Sequence, residues 1–266
     1  WAAKLMAIAV VVFMVSSTTI VLFAPEASAR TGSDDYGYTF KDSGETDGPT
    51  YDWIELVPQL PGGSTTSTLL ISSSTDGGQG QFDLPFDFEF YENTYTTWGN
   101  GGDNGYVTLG AVVSNQWVSY HIPAMQLGVA LVGGWFDGGF CRASNQYAGV
   151  YYDTQGTEGS RKFIVQYQDQ GAWYPSVYQC PGVAAANALT WQIIMHEDSG
   201  EVTMQYKDTL GGYGSDDEQL TSGVQGKPGG ALKGLEYVYR RSPSAITAET
   251  AVTFTPPPPL RNDIRL

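Results

Sequence analysis

The chain has 266 residues, with 28 acidic and 13 basic side chains, a formal net charge of −15 and 41% hydrophobic residues. Such a charge repels nucleic acid and anionic lipid and argues strongly against a polyanion-binding role. The hydrophobic content suffices for a substantial core, in one large domain or two small ones.

Residues 5–24 (LMAIAVVVFMVSSTTIVLFA) form an apolar run that, as a helix, spans about 30 Å, the thickness of a bilayer's hydrocarbon core. Three readings stand. A cleaved secretory signal fits Ala27-Ser28-Ala29 before Arg30, with Lys4 as the basic flank. An uncleaved anchor would hold the remainder at the outer membrane face. The third reading is an assembly helix whose stripe is Leu5, Ile8, Val11, Val12, Val15, Ile20 and Leu22. This first segment resembles the N-terminal helix of type IV pilins, although the glutamate common near the start of bacterial pilin helices is absent and Leu5 stands in that neighbourhood. That resemblance implies copies of the chain as partners through the helix, and contact with the membrane during export. The expected organisation is a hydrophobic helix over 1–25, a linker over 26–35, an extracellular domain over 36–255 and a Pro-rich tail over 256–266.

Beyond residue 35 the hydrophobic pattern changes to period two. In residues 82–91 (FDLPFDFEFY), Phe82, Leu84, Phe86, Phe88 and Phe90 share one face, with Asp83, Pro85, Asp87 and Glu89 on the other. Pro85 cannot donate to a ladder, which places that strand at an edge or bulge. Phe163, Val165 and Tyr167 alternate in the same way, as do Leu189, Trp191, Ile193 and Met195. Asp198-Ser199-Gly200 then separates that last run from Val202, Met204 and Tyr206, which reads as a hairpin. Shorter strands are expected at 106–109, 150–153, 235–240 and 251–255, and irregular loops at 59–81 and 211–234. The fold class expected is mainly β, an antiparallel β-sandwich head with one long N-terminal hydrophobic α-helix.

Cys141 and Cys180 are the two cysteines, and an even, minimal count in an exported chain favours one disulfide. Neither has a second Cys or His at ligand spacing, so zinc is not expected. The chain has no Asn-x-Ser/Thr sequon.

A series of hairpin phrases carries a second resemblance. Residues 88–96 (FEFYENTYT) and 104–110 (NGYVTLG), then Trp135-Phe136-Asp137, residues 149–152 (GVYY), 163–167 (FIVQY) and 191–200, follow one another in the order seen in a β-sandwich module of bacterial and archaeal secreted proteins. The chain resembles that module over roughly residues 36–225, and the module is distantly nidogen-like. The resemblance implies a non-catalytic surface or accessory module. Gly138 stands where the module often has a second aspartate, which weakens a cation site centred on Asp137.

Chemistry-bearing motifs are sparse. His121 and His196 are the only histidines, and there is no Gly-x-Ser-x-Gly elbow. His196 is read as a solvated strand residue. Asp103-Asn104-Gly105 and Asp216-Asp217-Glu218 offer oxygen ligands for Ca²⁺, but neither has EF-hand spacing and Asn-Gly equally makes a plain turn. No cofactor is expected beyond that calcium alternative. Trp98, Trp117 and Trp173 lie in Gly- or loop-rich context and form the expected exposed platform for a glycan. The functional expectation is a non-enzymatic extracellular filament subunit at the cell surface. The alternative is a secreted or membrane-anchored binding module for glycans or surface polymers.

Overall fold

A computed structural model describes residues 30–71, 80–102, 104–113, 120–136, 140–142, 146–172, 188–209, 220–241 and 246–258. In chain order the strands are β1 (Thr31–Ser33), β2 (Thr39–Asp42), β3 (Thr68–Ile71), β4 (Gly80–Phe90), β5 (Asn93–Asn100), β6 (Tyr106–Leu109), β7 (Ala130–Phe136) and β8 (Phe140–Arg142). They continue with β9 (Gly149–Gln155), β10 (Lys162–Ala172), β11 (Leu189–His196), β12 (Val202–Asp208), β13 (Leu220–Gly226), β14 (Lys233–Arg241) and β15 (Thr250–Thr255). One sheet runs β1-β2-β15-β12-β11-β10-β9-β3, with β8 added to β10, and the other runs β14-β13-β7-β6-β5-β4. The pairings are antiparallel in both.

Alternation places the core. On β4, Leu84, Phe86, Phe88 and Phe90 are buried while Asp83, Asp87 and Glu89 are exposed; Phe82 is half-buried rather than fully covered. Pro85 sits on an edge strand, and the β4–β5 register breaks between Asp83 and Phe88, so the residue is both at an edge and at an irregularity. These rings meet Phe163, Val165 and Tyr167 of β10 and Trp191, Ile193 and Met195 of β11 in one cluster between the sheets. Trp98 of β5 lies 5.1 Å from Phe163 across the gap, and Trp191 stacks on Tyr167 at 4.7 Å. Buried tyrosine hydroxyls find carbonyls on the opposite sheet: Tyr167 donates to Tyr106 O at 2.9 Å and Tyr206 to Gly134 O at 2.7 Å. The β11–β12 hairpin forms at the expected place, with Gly200 at φ 69° closing it.

Part of each outer face is also covered. Across β10, β11 and β12, Gln166, Gln192 and Gln205 stand directly opposite one another, all buried. They hold alternate residues of the segment 52–56 by their backbones. Gln205 accepts from Asp52 N at 2.6 Å and donates to Asp52 O at 2.7 Å; Gln192 accepts from Ile54 N at 3.3 Å and donates to Ile54 O at 2.7 Å. Gln166 accepts from Leu56 N at 3.0 Å. A primary amide carries a donor and an acceptor side by side, so a row of three imitates a strand edge running across the sheet. Leu56 and Val57 are thereby sealed against Tyr151, Ile164 and Ile194. On the other sheet, Gln225 fixes a second strap, accepting from Ala124 N and donating to Val129 O, and Ile122 packs there with Tyr106 and Leu131.

The expected fold class needs correction. Among the described residues there is no α-helix, only a 3-10 turn at Pro228–Gly230, and the class is all-β with two antiparallel sheets. No helix of the described residues is long and apolar enough to cross a membrane. Apolarity sustained over residues 5–24 gives a length and not a conformation, and that run lies outside the described residues. The stripe Leu5, Ile8, Val11, Val12, Val15, Ile20 and Leu22 lies outside the described residues. Two expected loops also contain strands. β3 lies within 59–81, its apolar residues masked by surrounding Ser and Thr. β13 lies within 211–234, where two register shifts erase alternation. β1 already pairs with β2 at residues 31–33, so the sandwich begins before residue 36.

Candidate functional site

Several carboxylates of the described head hold backbone. Asp34 Oδ1 accepts from the amides of Tyr36, Gly37 and Tyr38, and its Oδ2 accepts from Tyr91 Oη at 2.6 Å. Asp42 Oδ1 accepts from Arg30 N and Gly44 N, and Oδ2 from Tyr237 Oη at 2.9 Å. Asp153 accepts from Ser64, Thr66 and the amide of Thr154. Glu197 forms a two-point pair with Arg161 and accepts from the amides of Gly159 and Arg161. Its hydrogen bonds from Arg161 outweigh desolvation and bring its pKa down to about 2. Burial alone would raise Glu55, but hydrogen bonds from Gln166, Lys207 and the Val57 amide hold it below its ordinary value. Neither Glu55 nor Glu197 is raised toward neutrality, as a general acid requires.

The histidines offer no better prospect. His196 is part-buried rather than solvated, because β11 turns it toward Thr203, with Nε2 3.1 Å from Oγ1. Burial, reinforced by Lys162, lowers its pKa. His121 stacks on Tyr239 and lies 3.1 Å from Glu236 on the exterior.

Trp98 corrects the expected platform: it is fully buried. The adjacent glycine marks tight packing rather than a loop, since a Cβ on Gly99 would come within 2.4 Å of Thr108 Oγ1. Trp117 and Trp173 lie outside the described residues. Cys141 lies on β8, but its side chain and Cys180 are outside them too, as are Asp103, Asp137 and residues 216–218. Asn104 is buried and donates to Gly101 O, with Gly105 at φ 76°, the geometry of a turn. Among the described residues no group of three or more His, Cys, Asp or Glu is placed to hold a metal ion.

One cavity of about 260 Å³ opens beside β3, the edge strand of the larger sheet. Three separate segments converge on it: Pro58 and Gln59 from the end of the 52–57 strap, Ser67 and Leu69 from β3 and its approach, and Gln146, Tyr147 and Tyr151 from β9 and the turn before it. Leu69 is 44% exposed, one of two large hydrophobic side chains so placed among the described residues. Tyr151 donates its proton to Tyr147 O at 2.9 Å, and Ser67 donates to Leu56 O, so the walls are tied to the strap. Gln59 and Gln146 are exposed, and their side chains make no hydrogen bond within the described residues, whereas the buried glutamines are all bonded. The sequence hid this site because its residues come from positions 58–69 and 146–151, with no motif linking them.

A strapped two-sheet β-sandwich with an uncharged groove at the edge of one sheet defines a β-rich module. Residues 47–263 match the family model described as NIDO related, and the chain belongs to that family. This confirms the nidogen-like resemblance and fits an extracellular β-rich module. No curated protein and no solved structure matches the chain.

Proposed function

We propose that this chain is a non-catalytic binding module of the cell exterior, acting on surface polymers without a cofactor. The observation that carries the reading is the contrast between its acidic groups and its groove. The carboxylates that fold the head are spent on backbone amides, tyrosines and Arg161, while the groove presents the exposed side-chain amides of Gln59 and Gln146. Family membership supports the extracellular setting. The net charge of −15 disfavours nucleic acid as partner.

Biolayer interferometry against isolated cell-surface polysaccharide and against duplex DNA, at physiological salt, tests the proposal. Retention on the polysaccharide alone, with no new reducing ends over hours of incubation, is the expected result. Release of reducing ends in proportion to protein, abolished by one carboxylate-to-amide change, would establish an enzyme instead.

A further inference from the structure

The groove beside β3 carries an inference that rests on the binding-module reading and narrows it to a ligand class. We propose that the groove is a subsite for one uncharged sugar unit of a polysaccharide. None of the seven lining side chains is charged near neutral pH, in a chain of net charge −15. An anionic ligand would meet no cation in the groove and an unfavourable overall field. A cationic ligand would find no carboxylate there to replace its lost hydration.

What the groove offers instead is paired polarity. Gln59 and Gln146 each present a donor and an acceptor, and a sugar hydroxyl is itself both. Ser67 has given its proton to a backbone carbonyl and keeps acceptor capacity for a ligand hydroxyl. Pro58, Leu69 and Tyr147 supply apolar surface suited to the C–H face of a pyranose ring. A purely apolar ligand would leave the two amides without partners, which costs affinity.

Size and shape agree. At about 260 Å³ the cavity lies just below the roughly 300–1,000 Å³ of drug-sized sites. Its walls come from three segments meeting at one place, a compact site rather than a track for an extended peptide. Because Pro58 and Gln59 follow directly on the segment held by Gln166, Gln192 and Gln205, the glutamine row positions one wall of the groove.

The test uses the full chain, with cellotriose, mannotriose and chitotriose as neutral probes, trigalacturonate as the charged one and a neutral hexapeptide as control, read by isothermal titration calorimetry. At least one neutral trisaccharide should bind, and Gln146→Ala and Tyr147→Ala should each weaken it about tenfold. Gln146 is exposed and unbonded, so its variant should melt like the parent and separates lost binding from lost fold. Saccharide binding that neither variant alters would overturn the groove assignment and leave the binding module standing. Tighter binding of trigalacturonate or the peptide, lost in the same variants, would keep the site and overturn the ligand class. Binding of no probe, together with no retention on the surface polysaccharide, would overturn the inference and the module alike.

Discussion

At the scale of single residues, Arg161 shows how one cation organises several backbones. Its guanidinium meets Glu197 at two points, its Nη1 donates to Pro85 O at 2.7 Å, and it lies over the Phe86 ring at 5.4 Å. Pro85 falls within the β4–β5 register break, and Arg161 takes up its carbonyl there. The pKa of Glu197 is depressed from an ordinary 4.5 to about 2. A carboxylate of this kind stabilises the fold fully above its unfolded pKa, and the contribution disappears as pH falls through the folded value. Denaturant midpoints should therefore decline between about pH 4.5 and 2, and Arg161→Met should flatten that part of the profile. His196 acts in the same direction at higher pH. Burial lowers its pKa, so the unfolded chain binds the proton more readily and stability drops as pH falls below the ordinary 6.5. His196→Gln should remove this upper step, measured by urea titrations at half-unit pH intervals.

At the scale of elements, the glutamine row decides whether the outer face of the larger sheet is sealed. Strands β10 and β11 are buried on both sides because segment 52–57 lies over Ile164 and Ile194. Gln192→Ala removes the partners of both Ile54 N and Ile54 O in a part-buried setting, which should cost about 1–3 kcal/mol. Hydrogen exchange should speed up at residues 52–57 well before β11 itself is affected. Gln192→Glu keeps the acceptor for Ile54 N but turns an oxygen toward Ile54 O and buries a charge. Its loss at neutral pH should exceed that of the alanine variant, with partial recovery in acid once the carboxyl can donate.

For the whole molecule, the question is what keeps the two sheets at one spacing and stitched at their margins. Gly134 of β7 marks the closest approach: a Cβ there would lie 2.8 Å from the Trp191 indole of the facing sheet. Gly134→Val should push the sheets apart and cost about 1–3 kcal/mol or more through overpacking, seen as a lowered midpoint in a single cooperative transition. The margins are joined by polar pairs between sheets, Tyr237 to Asp42 at one side and Arg161 to Pro85 at the other. These contacts link β14 to β2, and β4 to the turn that precedes β10.

The amino-acid sequence by itself determined the β architecture of the head, because a half-buried strand must alternate and the runs at 82–90, 163–167 and 189–195 keep an apolar residue at every second position. It also marked the irregular edge at Pro85 and the hairpin at Asp198-Ser199-Gly200, both local consequences of backbone chemistry. Only the tertiary structure decided what lies on the outer faces. Gln166, Gln192 and Gln205 are polar and face away from the inter-sheet core, yet they are buried because a distant segment supplies backbone partners for their amides. Trp98 reversed from exposed to buried for the same kind of reason, since its surroundings come from the opposite sheet. The groove beside β3 was equally invisible. Periodicity records which face of a strand meets a core, whereas a site built from three separated segments exists only after the chain has brought them together.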